Sequence, residues 1–418
     1  MFKSIELLPK IESVGSCCIY KASDRIRKSN ELEAYTPQVI SIGPFHRNNP
    51  KLQTMESFKQ RYLKSFTDRA PEMNLEDLIS TIKGEEESVR ECYSETIPLS
   101  SDDFVKMILL DAIFIIEFFF RNCSGIWSEY DRRMLTSLLS NRGQLDLILL
   151  ENQLPFFIIE KIYNIAFPSL SIETPFIDLT FRQFQCYNVQ KIKPRDFWSS
   201  GKTILHFPDL LRNFSLPPRE RRPKRNSEII KEMRSTTQLA RAGLKFTVSK
   251  SNNCSPLELK YANGVLEIPR FQLDKNTEIY ARNLIAFEQS HYPEDQAYIT
   301  EYYFLLSLLI RGRKDVIFLV RKGIVKWVDQ GVDPTSVLNK ILETIDCSLR
   351  TDDYSNLSEK TNKFYKARGT YLHIMMAKLK RDYFSTPWKG AATIGGILLL
   401  LLTVIQTVCA LISVMNGK

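Results

Sequence analysis

In "LQTMESFKQRYLKSF" the apolar residues Met55, Phe58, Tyr62 and Phe66 recur at spacings of three and four, which predicts an amphipathic helix. "LEDLISTIKGEEESVRECY" continues in the same mode, with Leu78, Ile82, Val89 and Cys92 on one side. "SSDDFVKMILLDAIFIIEFFF" opens on Ser and Asp residues suited to capping and is then apolar nearly all round, which predicts a buried central helix. Lys106, Asp111 and Glu117 argue against a membrane span there, because carboxylates are expensive in lipid. Ahead of these helices, "YTPQVISIGPFHRNNP" is broken by Gly43 and Pro44 and reads as a docked, non-helical segment. Behind them, "DLILLENQLPFFIIEKIYN" sets Glu151, Asn152 and Gln153 between two apolar runs and follows them with Pro155.

From residue 195 to 225 the pattern dissolves into aromatic, Pro and basic residues ending in "SLPPRERRPKR", the clearest boundary in the chain. A helix is predicted over "SEIIKEMRSTTQLARAG", stopped by Gly243. Next come "LKFTV" and a hairpin of "LELKY" and "VLEIP" around Asn263 and Gly264. Helical patterns return at "TEIYARNLIAFEQ", "YITEYYFLLSLLIRG", "KDVIFLVRKGIVKW" and "PTSVLNKILETI", and a last long segment covers residues 362–383. The expected fold is mainly α: a multi-helix cytosolic body with a small β-hairpin insert, plus one C-terminal transmembrane helix. Its expected divisions are an N-terminal segment (1–34), a first helical lobe (35–194), an aromatic and basic linker region (195–226), a second lobe (227–386) and an anchor (387–415).

The anchor is the strongest single signal. "AATIGGILLLLLTVIQTVCALISVM", residues 391–415, holds no charge. As a helix it spans ~37 Å, enough for a hydrocarbon core of ~30 Å. A soluble core helix would keep a polar face. Lys378, Lys380, Arg381 and Lys389 precede the span and Trp388 sits at its edge, so the basic flank is expected to face the cytosol. That makes the protein a single-pass, tail-anchored membrane protein of the plasma membrane or endoplasmic reticulum. Ala391, Ala392, Gly395 and Gly396 place small residues four apart, a spacing that lets two such helices associate.

At 418 residues the chain exceeds the ~250–300 that one hydrophobic core usually supports. Its Lys and Arg outnumber Asp and Glu by 57 − 48 = 9, a moderate excess that does not imply nucleic acid. The eight cysteines form no C-x-x-C pair and lie far from the four histidines, so zinc has no local support and buried, reduced thiols are expected. Phosphate-cradling loops, H-E-x-x-H and G-x-S-x-G are all missing from the sequence, and no cofactor is implied. Arg219, Arg221, Arg222, Lys224 and Arg225 read as a solvated linker, with contact to anionic lipid or a nuclear signal as sharper alternatives, the second disfavoured by the anchor.

The best candidate for chemistry is the acidic set Asp111, Glu117, Asp146, Glu151 and Glu160. Asp111 and Glu117 stand six residues apart, about 600° round a helix, and so share no face. A buried polar group left unpaired costs ~1–3 kcal/mol, so these side chains are expected to meet each other, Arg142 or free backbone groups. Pro155 removes a helix donor and pushes the residues before it towards extended geometry. Glu151, Asn152, Gln153 and Pro155 are therefore read as a structural corner between a helix ending near Leu150 and one starting at Pro155, with no catalytic role assigned.

"YTPQVISIGPFHRNNPKLQTMESFKQRYL", "MILLDAIFIIEFF", "DLILLENQLPFFIIEKIY", "STTQLARAGLKF", "VLEIPRFQLDKNTEIYARNLIAFEQ" and "YFSTPWKGAATIGGILLLLLTVIQT" together resemble the plant-specific "domain of unknown function 247" family. The match covers nearly the whole chain. Arg47 departs from it, standing where family members often carry a second His or a Gly. The resemblance implies a membrane-anchored plant protein without known enzymatic activity, and, because some members are associated with self-incompatibility loci of grasses, a role in recognition or signalling. The expectation is a non-enzymatic, membrane-tethered protein that binds an unidentified protein partner through its helical body. A hydrolase or transferase with a site assembled from distant residues is the alternative.

Overall fold

Residues 35–49 run without regular structure and a 3-10 turn (Pro50–Leu52) leads into the first long helix in the computed structural model, which describes residues 17–23, 34–134, 141–222, 233–249, 254–328, 333–345, 352–368, 378, 381–382 and 386–416. Helix α1 (Gln53–Arg69) buries Met55, Phe58, Tyr62 and Phe66, as its spacing predicts, and also Lys59. The run after it is two helices rather than one: α2 (Leu75–Gly84) and α3 (Glu86–Glu91) part at Glu85, whose φ of −96° and ψ of 1° leave the helical region just after a glycine that holds helix weakly. In α4 (Ser101–Ser124) the Ser100 hydroxyl caps Asp103 N and Gly125 closes the far end at φ 69°. Every residue from 104 to 119 except Lys106 is buried.

Around α4 stand α5 (Glu129–Met134), α6 (Asn141–Asp146), α7 (Phe156–Ala166), α8 (Pro168–Glu173) and α9 (Phe176–Gln183). Helix α4 packs on α1, α2, α7 and α9. Helix α6 ends at Asp146, four residues before the expected stop near Leu150. The linker-like stretch from 195 contains α10 (Pro194–Ser199) and α11 (Phe207–Ser215). Its apolar positions Phe207, Leu210, Leu211 and Phe214 are buried, so this part of it is core.

Of the helix predicted over 227–243, α12 covers Thr236–Arg241, where Ser235 and Gln238 form a capping box that starts the helix, and residues 233–235 before it are not helical. Residues 227–232 lie outside the described set. Strands β1 (Lys245–Val248), β2 (Lys260–Ala262) and β3 (Val265–Ile268) form a sheet in the order β1-β3-β2. The β2–β3 hairpin turns through Asn263 (φ 50°) and Gly264 (φ 76°), both left-handed, as the Asn-Gly pair predicts. Beyond the hairpin expected, β1 adds in parallel to β3, and β4 (Phe271–Leu273) pairs in parallel with β5 (Val325–Trp327).

Helices α13 (Lys275–His291), α14 (Tyr298–Leu309), α15 (Arg313–Arg321), α16 (Pro334–Glu343) and α17 (Asp352–Arg368) complete the body. The run "KDVIFLVRKGIVKW" is helical only to Arg321, since Gly323 at φ 69° turns the chain into β5. Helix α13 packs on α6, α11, α14 and α16, and one hydrophobic cluster runs from Cys18 to Leu357. Helix α18 (Pro387–Asn416) stands apart. Its segment Trp388–Ala410 is long and apolar enough to cross a membrane, and none of it is buried against the body, unlike a soluble core helix.

Candidate functional site

Among the described residues no strand pairs with segment 34–47 to satisfy its backbone, and the acidic and amide residues singled out above do that work instead. Asp146 accepts from Gln38 N (3.0 Å), Val39 N (2.6 Å) and Ile40 N (2.9 Å). Asn152 accepts from Ile42 N (2.7 Å) and donates to Ile40 O and Asp146 O. Asp111 accepts from Gly43 N (2.8 Å) and from Lys59 Nζ (2.6 Å), which also donates to Ser41 O. Burial pushes the Asp111 carboxyl above its usual range, with the Lys59 ammonium opposing.

Glu151 accepts from Ala22 N (2.8 Å), while its second oxygen lies 3.0 Å from His46 Nε2. Gln153 donates to Leu147 O and Leu149 O and accepts from Phe207 N. The three polar residues before Pro155 therefore form a hub joining segments 17–23, 34–47 and the start of α11. Glu151, Asn152, Gln153 and Pro155 lie between α6 and α7, and the partners of the first three include the distant Ala22, Ile42, His46 and Phe207. Pro155 itself is the residue preceding α7, and Phe156 N donates to Leu205 O (2.8 Å).

Glu117 sits elsewhere, taking Arg69 Nε (2.7 Å) and Arg121 Nε (3.3 Å). Its different partners follow from the different helix face. Glu160 is half-buried and its carboxyl is pushed up by burial. Among the described residues no group of His, Cys, Asp and Glu could hold a metal ion.

A second polar layer ties α11, α13 and α14 together, and the sequence reading missed it. Arg212 Nε donates to Glu288 (2.9 Å), whose other oxygen accepts from Ile299 N and Thr300 N. His206 is fully buried, with Nε2 donating to Cys18 O (2.9 Å) and Nδ1 accepting from Asp209 N (3.2 Å). Those bonds suit the neutral ring only, and burial pushes its pKa down to about 3. The unfolded value is near 6.5, so the contribution of neutral His206 is complete above that pH and is lost as pH falls towards 3. Unfolding midpoints in urea between pH 7 and 4 should fall with a His206 share of up to about 1.4 kcal/mol per pH unit. The neighbouring Asp209 carboxyl is raised by burial and works in the opposite sense, so the readout is the slope lost in His206→Asn.

Besides a cleft of 360 Å³ lined by Arg221, Leu257 and Tyr354, two more surface clefts stand out among the described residues. One, of 390 Å³, is walled by Tyr187 stacked on Tyr280 (5.1 Å between centroids), with Phe271, Asp274 and Tyr302. The other, of 500 Å³, lies between α12 and α15 on a floor of Ala240, Ile317 and Phe318, rimmed by the exposed Arg241, Lys314 and Arg321. Neither was anticipated. The basic rim was legible as "RKDVIFLVRK", whose one carboxylate, Asp315, turns inward to Ser235 Oγ and Thr237 N.

Of the basic run proposed for lipid contact, Arg219 is exposed, Arg221 pairs with Glu258 (3.1 Å) and Arg222 is half-buried, donating to Pro217 O. Lys224 and Arg225 lie outside the described residues, as does Lys380 of the anchor flank. Lys378, Arg381, Trp388 and Lys389 are exposed. Ala391, Ala392, Gly395 and Gly396 sit on α18, with no other group within 4 Å of where a side chain would start on either glycine.

A family described as a plant protein of unknown function, DUF247, matches residues 19–402. Two proteins of Arabidopsis thaliana are similar along most of their length. UPF0481 protein At3g47200 is 26% identical, with 98% of this chain and 89% of the relative covered. Putative UPF0481 protein At3g02645 is 21% identical, with 90% and 86% covered. No solved structure matches the chain significantly. With 384 of its 418 residues inside that match (402 − 19 + 1), the chain belongs to the DUF247 family of plant proteins.

Proposed function

We propose that this protein is a membrane-tethered interaction protein whose helical body binds an acidic, amphipathic helix of another protein in the groove between α12 and α15. The observation that carries the reading is the groove's chemistry: an apolar floor of Ala240, Ile317 and Phe318 under three exposed cations, with Lys322 also 5.7 Å over the Phe318 ring. Two-helix grooves take amphipathic helices, and the rim sign selects an acidic one. A membrane surface is the weaker fit, because Ile317 and Phe318 are recessed and half-buried where lipid insertion wants protruding apolar groups. Helix α18 is the tether, and the cations at 378, 381 and 389 favour a cytosolic body.

Two synthetic helical peptides with one apolar stripe, flanked by Glu in the first and Lys in the second, test this against the full chain in detergent micelles. The Glu peptide should bind with salt-sensitive affinity, and R241E/K314E/R321E should weaken it about tenfold or more. Equal binding of both peptides, or of neither, overturns the proposal. Phosphatidylserine vesicles retained through these three cations without peptide binding would assign the groove to lipid instead.

Topology has its own test in the sequons at Asn122, Asn213, Asn253 and Asn356. Asn356 is exposed on α17, so a lumenal body should carry a glycan there. A cytosolic body should show no endoglycosidase-sensitive mass when expressed in plant cells, and such mass would place the body on the lumenal side.

A further inference from the structure

Segment 17–23 meets the body through a short parallel ladder. Ile19 N donates to Cys92 O (2.8 Å), Ser94 N donates to Ile19 O (2.9 Å), and Ile19 bridges Tyr93. Cys18 therefore stands opposite Cys92 at the C-terminal end of α3, and Cys18 N also donates to Cys92 O (2.9 Å). Neighbouring strands lie ~4.8 Å apart, inside the ~4.4–6.8 Å range of Cα separations that a disulfide bridges. Both residues are buried, at 3% and 7% exposed, and belong to the main hydrophobic cluster.

We propose that Cys18 and Cys92 are a reversible oxidation site, closed to a disulfide by a small peroxide and reopened by thiols. The two residues are already joined through their backbones, and the Cys92 thiol donates to Ser88 O (3.3 Å). The Cys18 side chain lowers the Cys92 thiol from its usual range, while Cys92 and burial raise Cys18, so Cys92 is the first to ionise. Its thiolate attacks one peroxide oxygen: an S–O bond forms, the O–O bond breaks, and hydroxide leaves and takes up a proton. Cys18, losing its proton, then attacks the Cys92 sulfur: the S–S bond forms, the S–O bond breaks, and water leaves. Two thiols and one hydrogen peroxide give one disulfide and two waters.

The bond would fasten the segment that already closes over the polar hub, since Ala22 N holds Glu151 and Cys18 O holds His206. Oxidation thus removes one way for that segment to leave the body, the constraint falling on the open state.

The full chain in detergent, treated with hydrogen peroxide, denatured, alkylated and proteolysed, decides the matter. A peptide pair joined through Cys18 and Cys92 is expected, together with two fewer alkylated thiols, both restored by dithiothreitol. The wild type should melt at a higher temperature oxidised than reduced. Cys92→Ser should abolish that difference, and Cys17→Ser should keep both the difference and the crosslink. Cys18 and Cys92 both alkylated after peroxide, both carried to sulfinic acid without a crosslink, or a crosslink running from Cys17 instead would each overturn it.

Discussion

Gly43→Ala is expected to cost at least about 4 kcal/mol and to leave little folded protein, read as a large drop in the urea midpoint and in soluble yield. Two independent effects combine. At φ 74° the residue is in the left-handed region, where a side chain adds ~1–2 kcal/mol. A methyl built there would also sit 2.4 Å from the Gln153 carbonyl oxygen and 3.2 Å from Tyr93 Oη. That carbonyl cannot step aside freely: it accepts from Tyr93 Oη (3.0 Å), and the side chain of the same residue is held by Leu147 O, Leu149 O and Phe207 N. Gly43 N–H, meanwhile, is a ligand of buried Asp111, so any retreat of residue 43 opens that bond. Gly201→Ala is the control, because its φ of 67° is similar while nothing lies within 4 Å of the new methyl; it should cost only the backbone part. If the two variants lose equal stability, close packing of Gly43 on the corner is not what demands a glycine.

The elements legible in the sequence are those whose information is local. Met55, Phe58, Tyr62 and Phe66 mark a helix face because a 3.6-residue period needs no partner to be seen, and Asn263-Gly264 marks its turn because both residues tolerate positive φ. The corner at Glu151, Asn152 and Gln153 was legible in kind, since Pro155 forces a break between apolar runs. Its partners were not. Asp146 is shaped by three N–H groups more than a hundred residues upstream, and nothing at either end states the pairing. Strand β5 was hidden in a helical period because Val325 to Trp327 gains its conformation from pairing with β4. Lys59 was the clearest signal passed over: it falls four residues after Met55 in the apolar stripe, and a lysine on such a face points to a buried counter-charge, here Asp111.

Lys59→Met should therefore be among the most damaging single changes in the first helical half, costing roughly 3–5 kcal/mol. The ammonium is 1% exposed, as is the Asp111 side chain it meets at 2.6 Å, and its removal leaves a carboxylate that burial already disfavours. Protonation of Asp111 would then limit the loss, so the variant should be relatively less damaged at pH 5 than at pH 8. That direction follows from a folded pKa lying above the unfolded one, which adds stability below the unfolded value and loses it as pH rises. Asp111→Leu alone should also destabilise, by leaving Gly43 N–H without its acceptor and Lys59 with only Glu56 and Ser41 O. Combining the two removes both of these charges, and buried pairs replaced by apolar side chains often lose little, although Glu56 then loses its Lys59 partner. Here recovery should stop short of wild type, because Ser41 O and Gly43 N–H, bonded to Lys59 and Asp111 in the native fold, stay buried and unsatisfied. A double variant less stable than either single would mean that the pair holds segment 34–47 in place chiefly through those backbone bonds and not by neutralising each other. A double variant equal to wild type would mean that the backbone finds other partners, and that Gly43 is held by its fit against Gln153 alone.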